Sequence, residues 1–137
     1  MFETFDHTAD LGLRIRAATL DDLFSEAALA LFSTIVEDST AIVPREQREL
    51  SFPGTDIEYL LFDWLRILLY QFDAEHWLSS TWFHVHVGDG GLQATLWGEP
   101  LDWDRHVLSH EVKAVTYHGL KVEKMNDGWL AEVIVDI

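Results

Sequence analysis

The 137-residue sequence contains no cysteine, which excludes disulfides, zinc–thiolate sites and cysteine nucleophiles. Positive charge is scarce as well: nine Lys and Arg stand against 24 Asp and Glu, giving a net charge of −15. Such a surface repels phosphate backbones and anionic membranes, so direct nucleic-acid binding is not expected, while cations and basic partner surfaces are attracted. The richest apolar stretch, residues 57–72, is interrupted by Glu58, Asp63, Arg66 and Gln71, which argues against a membrane span. The first residues (Phe2, Glu3, Thr4, Phe5, Asp6) lack a basic segment followed by an apolar one, so no signal peptide is read and a cytoplasmic address is expected. No Gly-x-Ser-x-Gly, P-loop or dinucleotide fingerprint occurs, and no serine stands in a nucleophile context. These absences favour an accessory factor over a stand-alone enzyme.

What is present reads as one domain, 1–137, with no repeat, linker or low-complexity tract. An alternating run at Leu11, Leu13 and Ile15 predicts a strand. Thr19, with Asp22 three residues on, predicts an N-cap for a helix whose apolar stripe is Leu20, Leu23, Phe24, Ala27, Ala28, Leu31, Phe32 and Ile35. Residues 45–52 read as a short strand stopped by Pro53-Gly54. Thr55-Asp56-Ile57-Glu58 then has the spacing of a capping box and opens a second helix, with a core face from Ile57 to Phe72 that Tyr59, Phe62, Ile67 and Tyr70 widen. A helix so apolar is buried, or it presents a strip to a partner protein. From Thr81 the period becomes two, predicting one hairpin turning at 88–91 and a second, 111–124 with 129–135, turning at Asn126-Asp127-Gly128. The sum is an α+β fold, with two helices packed on one side of a mostly antiparallel sheet.

The candidate site lies at the two ends. Asp10 is out of phase with Leu11, Leu13 and Ile15, so it either leaves their apolar face or just precedes the strand. It reads as a ligating carboxylate or as a turn aspartate bonded to its own backbone. Asp136 follows the buried-looking run Val133-Ile134-Val135 and is followed by Ile137 with the terminal carboxylate. Oxyanions gathered at strand ends call for a cation, and an all-oxygen set favours Ca²⁺, Mg²⁺ or Mn²⁺ over zinc or copper. His7 either orients Asp10, carries a proton or caps the turn. His84 and His86 share a strand face, but two histidines without a third ligand do not make a metal site. All three lysines, Lys113, Lys121 and Lys124, fall in the last 25 residues.

Taken in order, Phe5-Asp6-His7-Thr8-Ala9-Asp10-Leu11-Gly12-Leu13, Thr19-Leu20-Asp21-Asp22-Leu23-Phe24, Glu111-Val112-Lys113-Ala114-Val115-Thr116-Tyr117-His118 and Val135-Asp136-Ile137 resemble the archease family. That resemblance implies an activator of the RNA-splicing ligase RtcB, acting in tRNA splicing and RNA repair by speeding ligase guanylylation and turnover. It also implies a divalent metal, Ca²⁺, held by Asp10, Asp136 and Ile137, the last through a main-chain or terminal carboxylate oxygen. The ligase would hold the RNA, which accommodates the acidic surface. Lys113 is expected near the site, as partner contact or in a salt bridge to Asp10 or Asp136. The rival readings are a metal-dependent phosphoester hydrolase or cyclase using Asp10 and His7, and a chaperone-like scaffold meeting a client through residues 57–72.

Overall fold

The computed structural model describes residues 1–7 and 10–137. In chain order the elements are β1 (Phe2–His7), β2 (Asp10–Ala17), α1 (Leu20–Ile35), β3 (Glu46–Pro53), α2 (Ile57–Glu75), β4 (Trp77–Gly88), β5 (Gly91–Pro100), β6 (Ala114–Met125) and β7 (Gly128–Asp136), with a short 3-10 turn at Ser39–Ala41. The α+β reading holds, and the strands divide into two sheets where one was expected. A four-stranded sheet has the order β1-β2-β7-β6 and a three-stranded sheet the order β3-β5-β4, with each ladder antiparallel. Both helices touch both sheets: α1 lies against β2 and β4, and α2 against β6 and β4. The sequence explains why two covers are needed. Helix α1 buries Leu23, Phe24, Ala27, Ala28, Ala30, Leu31, Phe32 and Ile35, a surface too broad for one neighbour. Trp64 of α2 is fully buried, and its indole N–H donates to the Phe24 carbonyl at 2.9 Å, tying the two helices together.

Helix starts follow the sequence with one correction. Thr19 caps α1 as expected, its hydroxyl accepting from the Asp22 N–H at 3.1 Å. Helix α2 is capped one residue later than the capping-box spacing predicts, by Asp56, whose carboxylate accepts from the N–H groups of Glu58 and Tyr59. Glu58 is used elsewhere: its carboxylate accepts from the Val122 N–H of β6 at 3.0 Å. Asp21 does the same for the other sheet, accepting from the Val87 N–H of β4 at 2.8 Å. Strands β6 and β4 are sheet edges. A carboxylate from the first turn of each helix therefore closes an edge that would otherwise offer an unpaired N–H to another chain.

The core face of α2 is narrower than its composition suggests, since Leu60, Leu61, Trp64, Leu65, Leu68 and Leu69 are buried while Tyr59 and Tyr70 project into solvent. The second hairpin begins at Ala114, not at Glu111; ahead of it the Ser109 and His110 N–H groups bond the Ile35 and Thr34 carbonyls at the end of α1.

On the outer face of the four-stranded sheet the register forms rows. One row is Phe5, Gly12, Ile134 and Thr116, with Phe5 opposite Gly12. The Phe5 ring lies across Gly12 where any Cβ would collide with it, so the absence of a side chain at residue 12 lets an aromatic ring roof the strand. Gly12→Ala is expected to push this ring aside and lower stability by about 1–2 kcal/mol, measured by denaturant unfolding. An unchanged midpoint would show that the ring is not held there.

Candidate metal centre

The row at the end of this sheet brings the chain termini together. Asp10 of β2 pairs in register with His7 of β1 on one side and with Asp136 of β7 on the other, and Asp136 in turn pairs with Ala114 of β6. Directly opposed residues of an antiparallel pair project to the same face with Cβ atoms about 4.5–5.5 Å apart. That face is the outer one: Leu13 and Ile15 of β2, with Val133 and Val135 of β7, turn into the core at alternate positions. Asp10, Asp136 and Ile137 are all half-buried. Thr8, Ala9 and the side chain of His7 lie outside the described residues, so of the proposed histidine role only the backbone pairing with Asp10 is on view.

Two rows away the same face carries charges in alternation: Glu3, Arg14, Glu132 and Lys121 are successive register partners. Arg14 bonds Glu3 at 3.2 Å and Glu132 at 2.8 Å, and Lys121 reaches Glu132 at 3.0 Å. Burial by itself would raise the Glu132 pKa, but the bonds from Lys121 and Arg14 outweigh it and hold the carboxyl below its ordinary value. In the end row Asp10 of β2 stands opposite Asp136 of β7. Like charges directly opposite destabilise a strand pair.

Lys113 reaches this row through its backbone, its N–H donating to the Asp136 carbonyl at 2.7 Å while its side chain is exposed. The carbonyl of Asp136 is thereby engaged. Among the described residues no cluster of three or more His, Asp or Glu side chains is close enough to hold an ion unaided. Asp10 and Asp136 supply two hard oxygen donors, and a third from Ile137 or water would complete a small set. This chemistry fits Ca²⁺, Mg²⁺ or Mn²⁺, which accept mixed carboxylate, carbonyl and water ligands.

Residues 2–137 match the model of the Archease protein family (MTH1598/TM1083). The chain belongs to the archease family. Among its family relatives, the protein archease of Methanopyrus kandleri is 39% identical over 99% of both chains. That of Sulfurisphaera tokodaii is 37% identical, over 99% of this chain and 98% of its own. The solution structure of Methanobacterium thermoautotrophicum protein 1598 superposes with a TM-score of 0.86 at 35% identity, covering 99% of this chain and 98% of its own. The crystal structure of an archease from Thermotoga maritima, described as a possible chaperone, gives a TM-score of 0.71 at 25% identity, covering this chain fully and 98% of its own. Among the described residues of this archease-family chain, no helix is long and apolar enough to cross a membrane.

Sequence reasoning missed one buried charged group. Glu99 is fully buried. Its carboxylate takes Arg45 at 2.6 Å, Arg105 at 2.6 and 3.0 Å, the Val43 N–H at 2.7 Å and His106 Nε2 at 2.9 Å. The Asp102 N–H donates to His106 Nδ1 at 2.9 Å, which leaves the ring proton on Nε2, facing Glu99. From this cluster the chain runs past the end of α1 and arrives at Lys113 and its bond to Asp136. No sequence signal marks Glu99, because its partners come from two loops and their meeting is a product of the fold.

Burial by itself would raise the Glu99 pKa, but hydrogen bonds from Arg105, Val43, Arg45 and His106 override it and hold the carboxyl far below its ordinary 4.5. A depressed folded-state pKa contributes stability that is complete above about pH 4.5 and lost as pH falls further. Glu99→Gln is therefore expected to cost about 2–3 kcal/mol near neutral pH, low in the range for a broken buried pair because the guanidiniums remain in touch with water. The same variant should lose stability less steeply below pH 4.5. Urea unfolding at a series of pH values measures both, and parallel acid limbs in the two proteins would contradict this role.

Proposed function

We propose that this chain activates the RNA-splicing ligase RtcB, promoting its guanylylation and turnover in tRNA splicing and RNA repair, through a divalent-cation site formed by Asp10, Asp136 and Ile137. The observation that carries the reading is the register of β2 on β7, which sets Asp10 opposite Asp136 on one face of the sheet. Membership of the archease family and the absence of nucleophile and nucleotide-binding motifs support a protein that acts on an enzyme, in preference to a phosphoester hydrolase or cyclase of its own. The net charge of −15 supports a protein partner over RNA.

In this reading Asp10 and Asp136 hold the cation from opposed strands, and Ile137 adds an oxygen from the chain end. His7 flanks Asp10, and the Lys113 N–H keeps Asp136 in place. Ca²⁺ is the expected occupant, and it would supply a hard Lewis acid able to meet phosphate oxygens. A second reading, a chaperone-like scaffold, is favoured by the description of the Thermotoga maritima relative as a possible chaperone. Under that reading the cation is dispensable for partner binding.

The test follows covalent guanylate on a cognate RtcB ligase with GTP, with and without this protein. Wild-type chain is expected to speed guanylylation and sustain multiple turnovers. Asp10→Asn and Asp136→Asn, still folded by circular dichroism, are expected to lose about tenfold or more of that gain, the usual scale for a lost metal ligand or its support. Full stimulation by both variants would remove the site from the function, and stimulation unaffected by chelator would favour the scaffold.

A further inference from the structure

Beside the buried face of α2 lies a cluster of aromatic rings, of which Phe62 packs in part against the core. Tyr59 is 54% exposed, and beside it on β6 Tyr117 is 42% exposed. The two rings stack with centroids 4.9 Å apart, and Phe62 meets Tyr117 edge-on at 5.6 Å. Strand β6 loses its register with β7 between Thr116 and Lys121, and Gly119 takes a φ of +73° within that break. The local bulge frees Tyr117 from the regular ladder and lets it lie against the helix.

The surroundings of these rings are acidic. Asp56 and Glu58 come from the start of α2, and Asp63 lies one turn along. The Tyr117 phenol is held above its ordinary pKa, first by burial and then by the charges of Asp56, Tyr59 and Glu58, so negative potential reaches the ring from the helix start. An anionic segment would be repelled here. A purely apolar one would strip water from carboxylates without replacing their hydrogen bonds. A cation gains from both features, because the ring faces attract it and the rim neutralises it. The patch already shows that mode of contact: the Arg66 guanidinium lies 5.5 Å from the centre of the Phe62 ring and bonds Asp63 at 3.2 Å.

We propose that the platform of Tyr59, Tyr117 and Phe62, rimmed by Asp56, Glu58 and Asp63, is a docking site for an arginine- or lysine-bearing segment of a partner protein. The site stands apart from the end row and does not rest on the metal reading. Glu58 meets Val122, and Tyr59 and Phe62 meet Tyr117, so the start of α2 lies along β6.

The experiment uses the full chain and a fluorescein-labelled Gly-Ser peptide carrying four arginines, with a four-glutamate peptide as control, followed by fluorescence anisotropy. The arginine peptide is expected to bind and the glutamate peptide not. The Tyr59→Ser/Tyr117→Ser double variant is expected to bind the arginine peptide about tenfold more weakly at an ionic strength where distant charges are screened. Tyr70→Ser, at an exposed tyrosine outside the ring cluster, is expected to bind as wild type does. Arg66→Ala, which vacates the Phe62 ring and Asp63, is expected to bind about threefold more tightly. In the wild type, the ring resonances of Tyr59, Phe62 and Tyr117 should shift on titration. Equal binding by the double variant, or binding with those resonances unmoved, would assign the attraction to net charge alone and overturn the proposal.

Discussion

The pairing of β2 with β7 is the constraint on which the rest of this molecule depends. It joins the start of the chain to its end over residues Asp10 to Ala17 and Trp129 to Asp136, and it forms the middle of the larger sheet. Its register is fixed by burial. Leu13 and Ile15 face the helices from one strand, and Ala131, Val133 and Val135 from the other. A slip of one residue would turn all of these to solvent and bring charged Arg14 and Glu132 into the core. The same apolar alternation that builds the core therefore decides which residues meet at the sheet's end, and those residues are two aspartates.

Scarcity of positive charge shapes how the fold is closed. Arg14 and Lys121 alternate with acids across the outer face, and Arg45 and Arg105 converge on the fully buried carboxylate of Glu99. Acids without a cation are put to work on backbone N–H groups instead: Asp21 and Glu58 close the edges of β4 and β6, and Asp56 caps α2. In the end row two aspartates, Asp10 and Asp136, are register partners. The proposed divalent ion would sit between these two carboxylates.

Much of this was legible in the residues. The alternation of Leu11, Leu13 and Ile15 put Asp10 off the inner face or just before the strand, and Val133-Ile134-Val135 marked a strand ending at Asp136; that these two strands pair in register was a hypothesis that the β2–β7 ladder bears out. Helix α1 and its Thr19 cap were legible because cap and stripe are local. The division into two sheets was not, because strand partners are chosen by tertiary packing. The cap of α2 was misplaced by one residue because Glu58 serves Val122, sixty-four positions away. Tyr59 and Tyr70 read as core by composition, although their helical phase leaves them facing solvent. Glu99 gave no sign at all, since nothing in a sequence distinguishes a buried glutamate from the many exposed ones of an acidic chain.

The most direct measurement is thermal unfolding of the wild-type chain and of an Asp10→Asn/Asp136→Asn double variant, each in excess Ca²⁺ and in chelator. A cation bound between the two carboxylates raises the wild-type midpoint by about 5–10 °C at saturating Ca²⁺. It leaves the double variant with one midpoint in both conditions. Equal wild-type midpoints in Ca²⁺ and chelator, or an equal rise in the double variant, would contradict a shared cation at the joined ends of the chain.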